Sequence, residues 1–248
     1  MEDRSVLERP APAPALTVRY GDGPEHLADV WPGGAAAADR PLAVMVHGGF
    51  WRPEYDRLHT RPLCAALAAA GWTAVSVEYR RRPGDPDATV QDVAAALAAL
   101  PVELAGRVPF DGRTAVLGHS AGGHLALWAA AAAPAPGLAG TVALAPVADL
   151  ALAHRLDLDG GAVADFLGGG PEGRADLDPV RLAAPAAPVV LVHGTADAVV
   201  PPSLTESYTA AHPAARAVPV PGAGHFALID PLSPAWTAVL AALASLDG

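Results

Sequence analysis

The sequence predicts an α/β fold: a mostly parallel twisted sheet with an antiparallel hairpin at its start and helices on both faces. Three observations predict it. From residue 42 onward, short apolar runs alternate with stretches of helical spacing. Several of those runs, such as Leu42 to His47 and Val189 to His193, are continuously apolar, as strands covered on both faces must be. Finally, Gly118-His119-Ser120-Ala121-Gly122 fits G-x-S-x-G, a sharp strand-to-helix turn that lifts a serine hydroxyl above a sheet.

Each element has a local reason. Leu16 to Tyr20 and His26 to Trp31 are short strands joined by the turn Gly21-Asp22-Gly23-Pro24. Gly33 to Arg40 is a low-complexity loop before the apolar strand Leu42 to His47. Leu58 to Ala70 has helical spacing and stops at Gly71. Thr73 to Tyr79 is a strand rich in β-branched residues, and Ala88 to Leu100 is a helix that Pro101 should halt. Thr114 to Leu117 leads into the serine turn, and Gly123 to Ala133 forms the helix after it. Gly140 to Leu144 and Val189 to His193 are strands, Ser203 to His212 a helix, Arg216 to Val220 a strand and Pro234 to Leu246 the final helix.

A chain of 248 residues suits one α/β domain, and no linker or repeat divides it. The expected organisation is a single domain over residues 1–248, with residues 1–15 a flexible leader. Residues 147–188, loosened by aspartates, prolines and Gly168-Gly169-Gly170, form an irregular cap-like segment.

Hydrophobic residues make up 52% of the chain, yet no run approaches a membrane span, and no apolar signal core follows Met1-Glu2-Asp3-Arg4. Cys64 is the only cysteine, so no intramolecular disulfide can form, and a reducing cytoplasm is the expected location. The formal net charge is −10 and every basic side chain is arginine. Nucleic acid and anionic membrane are therefore not expected partners. The cluster Arg80-Arg81-Arg82 is expected to be a solvated loop after a strand, with an anion-binding role the weaker alternative. The sequence is compatible with a homodimer and does not set an oligomeric state.

A serine nucleophile needs a base, and the base needs an acid to orient it. After G-x-S-x-G in a doubly wound sheet, the expected order is acid, then histidine. Asp197 lies in the loop just past the strand Val189 to His193, and His225 lies in the Gly-rich loop after the next strand. Both loops should open at the carboxyl edge of the sheet, beside Ser120. Taken singly, Asp197 could cap a turn and His225 could be a surface histidine. His119 should point away from Ser120, His124 should be packed, and His193 should brace the acid loop. Asp149 is the reserve acid. His47-Gly48-Gly49-Phe50-Trp51 follows a buried strand, where glycines let backbone N–H groups approach a developing oxyanion. The second donor would be the N–H of Ala121.

Together these residues resemble the α/β-hydrolase superfamily over roughly residues 16–246. Within it, His47-Gly48-Gly49-Phe50-Trp51 is similar to the H-G-G-x-W signature of kynurenine formamidases (arylformamidases). Val77-Glu78-Tyr79-Arg80 and Gly118-His119-Ser120-Ala121-Gly122-Gly123-His124 are similar to that group too, and also to hormone-sensitive-lipase-type esterases and prolyl-oligopeptidase-like peptidases. The resemblance implies Ser120 as nucleophile, Asp197 as acid and His225 as base. It implies oxyanion donors from the backbone at Gly49, Phe50 and Ala121. Phe50 stands where lipase-type esterases usually have a third glycine, and the short leader cannot form a propeller of the peptidase kind.

The expected function is a serine hydrolase that cleaves a small ester or amide through an acyl-enzyme, with arylformamide hydrolysis the first choice. The alternatives are a general short-chain carboxylesterase, a prolyl-oligopeptidase-like peptidase domain and a non-catalytic binding protein on the same scaffold. Trp51 and Tyr79 are candidate aromatic surface for the substrate, with Trp51 equally a core anchor. No metal or organic cofactor is expected, since H-E-x-x-H, C-x-x-C and dinucleotide fingerprints are absent from the sequence.

Overall fold

The computed structural model describes residues 2–246. Eight strands form one sheet in the order β1-β2-β4-β3-β5-β6-β7-β8. They are β1 (Leu16–Arg19), β2 (Leu27–Trp31), β3 (Leu42–Val46), β4 (Ala74–Val77), β5 (Thr114–His119), β6 (Leu138–Leu144), β7 (Val189–Gly194) and β8 (Arg216–Val220). β1 and β2 pair antiparallel, β2 joins β4 antiparallel, and every pairing from β4 to β8 is parallel. The expected hairpin start and parallel body are both present.

Period-two geometry divides the central strands between two cores. Val44, Val46, Val75, Val77 and Val116 face helices α2 (Pro86–Leu104) and α3 (Ala121–Ala132). Ala43, Met45, Ala115, Leu117, Val190 and Val192 face α1 (Arg61–Ala69) and α7 (Trp236–Ala244). Cys64 belongs to this second core and is fully buried. α6 (Ser203–Ala211) covers the β6–β7 end of the first face through Leu204 and Tyr208. No helix among the described residues is long and apolar enough to cross a membrane.

Several expectations need correction. Pro101 does not halt its helix, because α2 runs on to Leu104. A proline inside a helix costs about 3 kcal/mol, but the stripe Val93, Leu97, Leu100 and Leu104 is buried along the whole helix and holds the last turn against the sheet. Nor is the segment before β1 a flexible leader. Residues Ser5–Glu8 form a 3₁₀ turn, Val6 is buried in the second core, and Arg9 makes an ion pair with Asp230. Further along, the Trp31 indole donates to the carbonyl of Pro12 at 3.0 Å. The corrections to Trp51, Tyr79 and His119 are described with the site. The cap-like stretch consists of two short helices, α4 (Leu150–Arg155) and α5 (Ala162–Leu167), followed by three single 3₁₀ turns between Pro171 and Arg181.

Candidate active site

Ser120 sits where β5 ends and α3 begins, with φ 56° and ψ −119°. A non-glycine residue in that region is strained and persists only where its surroundings hold it. Here they do. The Ser120 N–H donates to Leu144 of β6 at 2.9 Å, and its carbonyl accepts from the N–H groups of His124 and Val147. Gly122 allows the close approach: a Cβ there would lie 2.1 Å from the Val46 carbonyl oxygen and 2.3 Å from that of His47.

The acid and the histidine come from the loops after β7 and β8. The His225 Nδ1–H donates to Asp197 Oδ2 at 2.7 Å. Because a carboxylate only accepts, this bond fixes the tautomer and leaves Nε2 as the basic nitrogen. The other oxygen of Asp197 accepts from the N–H groups of Val199 and Val200 at 2.9 and 2.8 Å. Burial by itself would raise the Asp197 pKa, but bonding from His193, His225 and the Val200 amide outweighs it. The carboxyl lies well below the usual carboxylate range. His193 braces this loop as its sequence position suggested, donating to the Val200 carbonyl at 2.9 Å and accepting from Thr205 at 2.7 Å. Asp149, the reserve acid, instead caps α4 through the Leu152 N–H and accepts from Ser207.

The loop after β3 forms the opposite wall. Gly49, Phe50 and Trp51 have φ values of 113°, 49° and 56°, so three successive residues share the left-handed half of the map. Among the described residues, the N–H groups of Gly49, Phe50 and Ala121 make no hydrogen bond to the protein. Donors left free in such a turn can receive an anion. Beneath the loop, Tyr79 donates its hydroxyl to the His47 carbonyl at 2.7 Å, and its ring stacks on His47 at 4.3 Å. Glu78 ties the assembly together. It accepts from His47 at 3.2 Å and from the Arg57 N–H at 3.1 Å, and it pairs with Arg81. Burial opposes its ionisation, yet His47 and Arg81 hold its pKa far below the ordinary glutamate value.

Ser120, His225, Gly49 and Phe50 all open into one cleft of about 40 Å³, which Arg4, Leu7, Tyr55, His59, His119, Val199 and Phe226 help to line. A much larger, open depression of about 690 Å³ lies behind Phe226, against Arg9, Asp230 and Gly222, and contains neither Ser120 nor His225. Trp51 and Tyr79 do not line the cleft. Trp51 is 3% exposed and stacks on Phe166 of α5 at 4.5 Å, edge-on to His124. Both aromatics are packed beneath the loop, Tyr79 wholly buried and Trp51 against Phe166, and neither offers surface to the cleft. Phe50 and Tyr55 supply the aromatic wall instead.

Sequence reasoning missed four residues that line the cleft. His119 does face the cleft, and its Nε2–H donates to the His225 carbonyl at 3.2 Å. Burial, and then repulsion from His225, push its pKa well below the ordinary imidazole value. His59 lies against His47, and enclosure followed by repulsion from that ring lowers it to about 3. Arg4 and Leu7 arrive from the segment before β1, where no motif marks them.

This arrangement can carry acyl transfer: an alcohol on a strained turn, a tautomer-fixed imidazole and unsatisfied amides share one cleft. Groups of three or more His, Cys, Asp or Glu able to hold a metal are absent among the described residues.

Comparison with known proteins points the same way. Residues 29–151 match the BD-FAE family and residues 171–243 match the Abhydrolase_4 family of TAP-like proteins. The chain is 28% identical to esterase LipC of Mycobacterium tuberculosis over 86% of its own length and 60% of that protein's. It is 33% identical to esterase LipQ of the same organism over 49% of its own length and 30% of LipQ's. These matches thus span less than two thirds of either relative. Among solved structures, esterase B of Lactobacillus rhamnosus superposes with a TM-score of 0.79 at 22% identity, covering 98% of this chain and 89% of that one. The sheet order and this likeness show that the chain has the α/β-hydrolase fold.

Proposed function

We propose that the chain hydrolyses short-chain carboxylic esters through an acyl-enzyme on Ser120. His225 takes the hydroxyl proton as Oγ attacks the carbonyl carbon, and Asp197 stabilises the imidazolium that forms. The oxyanion is received by the amides of Phe50 and Ala121, with Gly49 beside them. His225 then gives its proton to the departing alkoxide, and a water repeats the sequence to release the acid and free the serine.

The observation that carries this reading is the shared cleft: Ser120 and the Asp197-held His225 open onto the same small space as Phe50. Its small volume of about 40 Å³ favours a short acyl group over a long chain. A structure of esterase B inhibited by a C4 tributyrin phosphonate is among the similar folds, and the esterase relatives favour an ester over a peptide amide. A second reading is arylformamide hydrolysis. It rests on the formyl group being the smallest acyl group and on the aromatic wall of Phe50, Tyr55 and Phe226. A reducing, cytoplasmic setting fits the lone buried Cys64.

The test is a comparison of initial rates on p-nitrophenyl acetate, butyrate and decanoate, N-formylkynurenine and a dipeptide amide. The acetate and butyrate esters should be fastest, and Ser120→Ala should abolish their turnover and fluorophosphonate labelling alike. Faster hydrolysis of formylkynurenine would favour the second reading. Absence of turnover on both short esters would overturn the first.

A further inference from the structure

The loops after β7 and β8 are zipped together at their bases. The Thr195 N–H donates to the Val220 carbonyl at 3.0 Å, the Ala196 N–H to the Ala223 carbonyl at 3.0 Å, and the Gly222 N–H to the Thr195 hydroxyl at 2.9 Å. One step further out, the pattern changes. The backbone groups of Ala198 and His225 that converge there are both N–H donors, so no direct rung can form between them. They need an acceptor from elsewhere: the His225 N–H is half-buried and costly to leave unpaired, while that of Ala198 is open to solvent.

Glu2 supplies that acceptor. Its Oε1 accepts from the Ala198 N–H at 3.0 Å and its Oε2 from the His225 N–H at 2.9 Å. One carboxylate thus bridges the residue next to Asp197 and the backbone of His225. Such charge-assisted bonds are about twice as strong as neutral ones. The glutamate is held in place from its C-terminal side. Asp3 accepts from the Ser5 N–H at 2.9 Å, Val6 is 1% exposed, and Arg9 pairs with Asp230. Gly224 completes the fit, because a Cβ there would lie 2.2 Å from Glu2 Oε2, and its three nearest neighbours are all carboxylate atoms of Glu2.

We propose that Glu2 is a positioning residue for the reaction, clamping the acid and base loops so that the Asp197–His225 couple keeps its 2.7 Å geometry beside Ser120. The proposal rests on the esterase reading above. It requires the segment of residues 2–9 to be part of the active site's support: beyond the rungs at their bases, the two loops are joined by the Asp197–His225 bond itself and, among the described residues, by the Glu2 carboxylate that accepts from both. Small errors in the placement of reacting groups lower the rate steeply, so loss of the clamp should act on kcat more than on KM.

Two independent routes break the same contact. Glu2→Ala removes the acceptor. Gly224→Ala leaves Glu2 in the chain but expels its carboxylate, at a position whose own φ tolerates a side chain. The experiment measures kcat and KM on p-nitrophenyl acetate in the purified full chain, with every rate normalised to active sites titrated by a fluorophosphonate. Glu2→Ala and Gly224→Ala should each lower kcat by about tenfold, with KM changed less than twofold. The double variant should be no worse than either single one. Glu2→Gln keeps one carbonyl oxygen but turns an NH₂ toward the second amide, and should fall between wild type and Glu2→Ala. A kcat within twofold of wild type in Glu2→Ala would overturn the proposal. So would additive losses in the double variant, since the two changes would then act separately. An inactive wild type would instead refute the esterase reading itself.

Discussion

Arg52, one residue beyond the left-handed turn, donates through Nε to Asp159 of the cap segment at 2.7 Å and through a second nitrogen to Asp165 at 3.1 Å. The loop that offers free amides is thereby tied to the turn between α4 and α5 from outside, while Trp51 stacked on Phe166 ties it from inside. Arg52→Ala should therefore loosen the loop more than it unfolds the protein. These side chains are 30% to 55% exposed, so solvent screens the pairs, and the stability loss should stay below about 1 kcal/mol. Urea unfolding checks that limit, and a several-fold fall in kcat/KM on p-nitrophenyl acetate checks the effect on the loop.

Asp197→Asn separates folding from chemistry. An asparagine oxygen can still accept from the Val199 and Val200 amides, so the loop should keep its shape. Its NH₂ would face His225 Nδ1 and force the wrong tautomer, and kcat should drop by about 10⁴-fold. A melting temperature close to wild type, alongside that loss, is the expected pair of results.

Gly122→Ala addresses the strained turn directly. The new methyl would meet two backbone carbonyls of the β3 loop, neither of which can swing aside as a side chain could. Overpacking of this kind costs about 1–3 kcal/mol or more. The variant should be measurably less stable to urea, and its fluorophosphonate labelling should slow because Ser120 and the Ala121 amide move together.

Glu78→Gln should be more damaging than any surface change. The Glu78 and Arg81 side chains are 6% and 9% exposed, and removing one partner leaves the other charge uncompensated. Losses of about 3–5 kcal/mol follow from breaking such buried pairs. Equilibrium urea denaturation measures it. Replacing Arg81 with Met in the same background should recover part of the loss.

Acid should destabilise the fold in two stages. His124 is lowered by burial to about 4, against a weaker opposing bond to the Leu177 carbonyl, and His119 is lowered in the same direction. With folded pKa values below the unfolded value of 6.5, these groups bind protons only on unfolding. Stability is therefore present above that value and lost as pH falls below it, on the order of 3 kcal/mol from His124 alone by pH 4. His59, lowered to about 3, acts in the same direction. The depressed carboxyls of Asp197, Glu78, Asp29 and Asp92 then contribute a second loss as pH falls below the ordinary carboxylate range. Urea midpoints between pH 7.5 and 4.5 should fall steadily, with a slope that decreases in the variant His124→Asn.

The placements most legible in the sequence were those that depend on local chain geometry. Ser120, Asp197 and His225 each follow a strand, and a strand followed by a glycine-bearing turn is a pattern confined to a few neighbouring positions. The support beneath them was not legible for the opposite reason. Glu78 meets His47 across 31 positions and Glu2 meets His225 across 223, so no spacing along the chain marks either contact. The packing of Trp51 against Phe166 likewise depends on a partner distant in sequence, which its residue type does not announce. Pro101 misled because its cost is local, whereas the leucine stripe that outweighs it is buried by strands distant in sequence.

Cys64 gives the fold a practical property. Its sulfur faces the second core, fully enclosed, and burial raises its pKa so that little thiolate exists to react. A maleimide added to the native protein therefore finds nothing to alkylate. Tyr55→Cys would place the sole addressable thiol at the mouth of the cleft, and one fluorophore there would report each substrate's arrival without further engineering.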